Sequence, residues 1–211
     1  MNPHIAALVI GLVSPPVILY FYLWRALLCL APSTLRIELD APPDKMQLPA
    51  ELKAFSDQLL ALGFTALGSR LERPRLHRET EYYEFARPAD HVFATLYLGK
   101  YSQPRLYLLT RVETGFVITA NYPRPARQVP GRYLAGGLED FSPDRVYRAH
   151  LRRLEGFTPT GDFTLEGRLA AAQAWLAGPG KREVRLQNLH GLLLSGITVG
   201  MVAYTIIAGQ H

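Results

Sequence analysis

The densest grouping of chemically able side chains in this chain is His77-Arg78-Glu79-Thr80-Glu81, with Glu84 close behind. Alternate residues of a strand share a face, so His77, Glu79 and Glu81 could present one imidazole and two carboxylates to a divalent metal. Arg78, interleaved among them, competes for the same carboxylates as an ion-pair partner. His91 and His150 have no acid and nucleophile beside them in sequence, so general acid–base chemistry gains no support there. There is no glycine-rich phosphate loop of the Walker or dinucleotide type, no cysteine pair and no HExxH. The sequence therefore yields no catalytic, cofactor-binding or metal site, and the reading leans away from an enzyme. Cys29 is the single cysteine, which excludes an internal disulfide and suits a buried structural thiol.

What the chain does contain is lipid-compatible sequence at both ends. Ile5 to Trp24 carries no charge, and 20 residues of helix rise about 30 Å, the thickness of a hydrocarbon core. Leu189 to Ala208 is a second such stretch. The first lacks a basic leader and a small-x-small cleavage site, so it is expected to be a retained anchor. Between them, 32–188 forms one domain with its own core. All 18 acidic residues and 22 of the 23 basic ones lie between Arg36 and Arg185, leaving this part at +4.

Orientation follows from the flanking cations. Arg25, Arg36 and Lys45 lie inward of the first span, and Lys181, Arg182 and Arg185 precede the second; neither outer flank has Lys or Arg. A cytoplasmic domain with both termini on the far side of a bacterial inner membrane is expected. Neither span has an ionisable residue mid-membrane, which argues against a transporter or channel. Pro15-Pro16 predicts a kink in the first span. Ala7 with Gly11, Gly191 with Ser195, and Gly196 with Gly200 are small-residue pairs four apart, able to bring helices into close contact.

The middle domain reads as α+β. Leu35–Asp40 alternates as a strand, and Pro49–Gly63 as an amphipathic helix. Strands near Thr65–Leu71, Glu79–Arg87, His91–Gly99, Arg105–Val112 and Phe116–Tyr122 have connections too short for crossovers, so an antiparallel meander of five or six strands is expected, packed by helices. Val92, Ala94, Leu96 and Leu98 should share one face, with Phe93, Thr95 and Tyr97 on the other. Pro123–Pro130 reads as a loop, followed by 133–141 with a Gly136-Gly137 break. Helices follow over Pro143–Leu154, whose polar face holds Arg145, Arg148, Arg152 and Arg153, and over Phe163–Ala177. From Lys181 the chain should be helical into the second span.

Alternate connections of a meander share an end, which would gather Arg73, Arg75, Arg78, Lys100, Arg124, Arg127 and Arg132 opposite Asp90 and Glu113. Such a cluster suits anionic lipid headgroups or an acidic partner. Basic residues on Pro143–Leu154 raise nucleic-acid binding, but a domain holding 18 carboxylates is too balanced for that reading to lead. The leading expectation is an accessory or assembly subunit that binds other membrane protein subunits through its small-residue helix faces. The alternatives are a membrane-tethered small-ligand sensor or carrier using Tyr82, Tyr83, Tyr97 and Tyr107, and a membrane-surface enzyme of unrecognised type.

Overall fold

Two compact units arise from one chain, and the computed structural model describes residues 3–123, 127–138 and 142–208 of it, with the side chains of 3–12, 206 and 208 excepted. The first unit comprises residues 1–36, 73–78 and 180–211. Helix α1 spans Pro3–Leu30, 28 residues, and runs as one helix through Pro15 and Pro16. The last helix of the chain, α5, spans Gly180–Ala208. Both are long and apolar enough to cross a membrane, over Val13–Leu30 and within Gly180–Thr205. The first window thus ends six residues beyond the expected Trp24, because Ala26-Leu-Leu-Cys-Leu30 prolongs the apolar helix past Arg25.

The two helices pack on each other through small residues. A Cβ added to Gly191 would stand 2.3 Å from the Arg25 Cβ and 3.2 Å from the Tyr22 carbonyl oxygen, so only glycine admits this approach. Ala26, Cys29, Ser195 and Thr198 are buried. The Thr198 hydroxyl donates to the Leu194 carbonyl and Asn188 to that of Val184, which satisfies polar groups inside the helix's own backbone.

The second unit, residues 37–72 and 79–179, holds the sheet. Its strands are β1 (Arg36–Leu39), β2 (Thr65–Arg73), β3 (Thr80–Arg87), β4 (Val92–Leu98), β5 (Pro104–Val112), β6 (Gly115–Ala120), β7 (Arg127–Val129) and β8 (Tyr133–Gly137), in the order β1-β2-β3-β4-β5-β6-β8-β7. The expected meander is present from β2 to β6, all antiparallel. The sheet has eight strands rather than five or six. The region read as a loop and a glycine break supplies β7 and β8, and β8 pairs with β6 in parallel.

Alternation along the strands assigns the two faces as expected. Tyr83, Phe85, Val92, Ala94, Leu96, Leu106, Leu108 and Val117 form one core with Leu52 and Leu59 of α2 (Ala50–Ala61) and Val146 and Tyr147 of α3 (Pro143–Leu154). Ala86, Phe93, Leu109, Phe116 and Ile118 form the other with Ala171 and Trp175 of α4 (Leu165–Ala177). A bulge at Gly68 interrupts β2, with φ +128° and space for no Cβ, since one would fall 2.3 Å from the Ala41 carbonyl oxygen.

Candidate functional site

The face under α4 carries two arginines and a carboxylate that are almost completely buried. Arg70 of β2 is 1% exposed, Glu84 of β3 0% and Arg168 of α4 1%. Arg70 Nε donates to Glu84 Oε1 at 2.6 Å, while Arg168 Nε and the Thr95 hydroxyl donate to Glu84 Oε2 at 2.9 and 2.6 Å. Arg70 Nη1 reaches Glu72 at 2.6 Å, and the Tyr107 oxygen accepts from Arg70 Nη2 at 2.9 Å and Arg168 Nη2 at 2.6 Å. Two guanidinium charges thus face two carboxylates. Burial by itself disfavours the Arg70 charge, but the oxygens of Tyr107, Glu72 and Glu84 outweigh it and hold its pKa above the ordinary arginine value. Arg168 Nη1 is buried without a hydrogen-bond partner. Alanines on α4 explain the reach: Ala171 and Ala172 are buried, so the helix lies close to the sheet and Arg168 can extend along it.

Beside this network lie half-buried rings. Tyr82 and Tyr97 have centroids 4.9 Å apart, Tyr107 and Tyr122 stand 6.3 and 6.4 Å from Tyr97, and the Arg70 guanidinium sits 4.4 Å from the Tyr82 ring centre. Burial, with the neighbouring acidic and phenolic groups, raises the pKa of Tyr82 and Tyr97, so both stay protonated. Tyr83, expected among them, is on the opposite face, buried in the core with its hydroxyl donating to Glu81. Strand alternation puts Tyr83 away from Tyr82, and Tyr122 joins the group instead.

On the other face, α3 presents His150, 0% exposed, to the sheet. The Thr110 hydroxyl donates to the His91 carbonyl at 2.7 Å, so it must accept from His150 Nε2–H at 3.1 Å. His150 Nδ1 then accepts from the Thr119 hydroxyl at 3.0 Å, whose oxygen receives Arg153 Nη1 at 3.0 Å. Burial, helped by the Arg153 charge, lowers the His150 pKa to about 3. This is a fully satisfied neutral imidazole with no substrate-facing side. Arg153, expected on the polar face of α3, turns inward to Thr119 and the Gly136 carbonyl. An open cleft of about 430 Å³ lies along the outer face of α3, lined by Leu138, Arg145, Arg148 and Arg152, with Arg148 paired to Asp144.

The metal-like constellation does not assemble. His77 and Arg78 precede β3, Glu81 accepts from Tyr83, and Glu84 is locked between arginines. Among the described residues no group of three metal-capable side chains occurs. His91 is exposed at a left-handed backbone position, φ +58°.

The arginine group divides. Arg73, Arg75 and Arg78 belong to the helical unit, Lys100 to the sheet unit, and Arg124 lies outside the described residues. Arg127 is on edge strand β7. Arg132 falls at the β5–β6 turn end, its carbonyl accepting from Phe116 N–H, because β8 runs parallel to β6 and so starts where β6 starts. In the helical unit, Ser33, Thr34, Arg36, Arg73, Pro74 and Arg75 line a cleft of about 550 Å³. Of the small-residue pairs, Gly191 and Ser195 are buried, with Gly191 against α1, whereas Gly196 and Gly200 are exposed and a Cβ there would touch no described atom within 4 Å. Ala7 and Gly11 lie on α1 where side chains are not described.

No known family, curated protein or solved structure matches the chain.

Proposed function

We propose that this protein is a membrane-anchored accessory or assembly subunit that binds rather than catalyses. In this reading α1 and α5 cross a bacterial inner membrane, both termini lie outside, and the α+β unit is cytoplasmic. Its partners are other membrane protein subunits and anionic lipid headgroups. The observation that carries the reading is the division of α5 into two small-residue faces. Gly191 packs on α1 and Ser195 is buried on the same face, while Gly196 and Gly200 are exposed beside exposed Leu193, Ile197 and Val199, with no described atom near their Cβ positions. A helix needing only one neighbour gains nothing from a second glycine face, and small residues four apart favour close helix contact. The interior histidine and carboxylate are held by structural partners, which suits a binding role.

Extraction in mild detergent tests this. The protein should migrate with a partner at fixed stoichiometry, and Gly196→Val with Gly200→Val should release it without lowering the melting temperature of the chain. Wild-type protein that migrates alone overturns the reading. A second reading, a tethered sensor of a small anion, is favoured by the unpaired Arg168 Nη1 beneath the tyrosine face.

A further inference from the structure

We infer that the cleft formed by Ser33, Thr34, Arg36, Arg73, Pro74 and Arg75 is a binding site for the phosphate of an anionic phospholipid. The inference deepens the proposed function, since it rests on α1 and α5 being membrane spans, and gives the lipid partner a defined seat.

Four observations converge. The lining brings together Arg36, Arg73 and Arg75 with Ser33, Thr34 and Pro74, and no carboxylate is among its described residues. Planar guanidinium forks match the oxygens of a phosphate, so such a lining selects phosphate-like anions over cations or apolar ligands. The volume, about 550 Å³, lies within the range of ligand clefts. The position is set by the chain: the apolar window of α1 ends at Leu30, and Ser33 and Thr34 follow in a single 3-10 turn, Pro32–Thr34. A lipid-facing helix that stops at Leu30 puts residues three and four later at headgroup level.

The fourth observation is how the distant segment 73–78 is held there. His77 packs edge-on against Trp24, with ring centroids 4.0 Å apart, and Arg25 lies 4.4 Å from the Trp24 ring centre. Tryptophan favours the membrane–water interface, where one edge is apolar and the other wet. The Trp24 contact thus holds the loop bearing Arg73 and Arg75 against the last two turns of α1, and these arginines line the cleft together with Arg36. The Thr34 hydroxyl donates to the Ala31 carbonyl at 2.8 Å, which fixes the turn and leaves the hydroxyl oxygen able to accept but not donate. Ser33 is exposed and has its donor for the ligand. Diffuse attraction of basic residues to a charged leaflet needs no cleft; a cleft with three arginines on two chain segments adds geometric selection to it.

The experiment uses the full chain. Alkaline carbonate treatment of membranes comes first: release of the protein would sink the membrane-span reading itself. If the protein stays integral, native mass spectrometry of detergent-solubilised protein with phosphatidic acid and with phosphatidylcholine tests the cleft separately. Retention of phosphatidic acid over phosphatidylcholine is expected. Arg36→Gln with Arg75→Gln should weaken phosphatidic acid binding roughly ten- to thirty-fold, the factor two interfacial cations supply. Lys181→Gln with Arg182→Gln removes the same charge from the α5 flank and should change it less than about threefold. Equal loss in both double variants, or no preference in the wild type, overturns the cleft. Inorganic phosphate at millimolar concentration should leave the bound lipid in place; displacement would identify free phosphate as the ligand and overturn the lipid assignment. Circular dichroism and melting of each variant should match the wild type, and binding lost only together with folding would count against the site.

Discussion

His150 shows how a histidine's surroundings decide its role. Held neutral between Thr110 and Thr119 with a pKa near 3, it binds fewer protons folded than unfolded at any pH between about 3 and 6.5. Stability from this residue is complete above pH 6.5 and falls as pH drops toward 3, by roughly 4 to 5 kcal/mol at most. The melting temperature of the wild type should fall across that window, and His150→Leu, although less stable at pH 7, should show a flatter acid limb. Parallel profiles would refute the assignment. Glu84 is the second residue where a sharp outcome is expected. Glu84→Gln leaves Arg70 and Arg168 buried against a neutral amide, and breaking one partner of a buried ion network costs about 3 to 5 kcal/mol. Denaturant unfolding should show that loss, and a change under about 1 kcal/mol would mean the network is not charged as described. None of this network was readable from sequence. Arg168 lies 84 positions from Glu84, and the bulge at Gly68 puts Arg70 on the face of Leu67, three residues away, where simple alternation would separate them.

At the scale of elements, local patterns carried far. The helix Pro143–Leu154 and the strands from Thr65 to Ala120 lie where periodicity places them, because each has one apolar face with a matching repeat. Strands β7 and β8 escaped because they are three and five residues long, flanked by proline and containing glycine, and because β8 is stabilised by a parallel neighbour that no local pattern announces. The small-residue pairs were visible as spacing, but spacing cannot say which pair faces the sister helix. The structure separates them, and the separation is testable. Gly191→Val would drive a branched side chain into Arg25 and the Tyr22 carbonyl, so it should part α1 from α5 and lower the melting temperature by several degrees. Gly200→Val, on the open face, should leave the melting temperature of the isolated chain within about a degree. Equal sensitivity at both positions would show that α5 is rotated from the orientation described.

For the whole molecule, the proposed topology makes a claim about compartments that charge, rather than packing, puts to the test. An α1–α5 pair joined through Gly191 is compatible with either side of a bilayer, since helix contacts are indifferent to the membrane's polarity. Lys and Arg near span ends are not indifferent, because they resist transfer across the membrane during insertion. Arg25 lies five residues before the end of the first apolar window, Arg36 and Lys45 follow it, and Lys181, Arg182 and Arg185 stand in the opening turns of α5, whereas residues 1–4 and 209–211 have no Lys or Arg. In the proposed topology both flanks favour a cytoplasmic α+β unit, so neither span must overcome the other's preference. Alkaline phosphatase fused to either terminus should therefore be active and a fluorescent protein there dark, while the same reporters inserted at the exposed Ser102 turn should behave in reverse. Replacing Lys181, Arg182 and Arg185 with Gln weakens only the second bias, so the N-terminal reporter should hold its side while the C-terminal one becomes mixed. A cytoplasmic reporter at both native ends would place the α+β unit outside the cell, and with it the arginine cleft on the wrong leaflet for the lipid role inferred above.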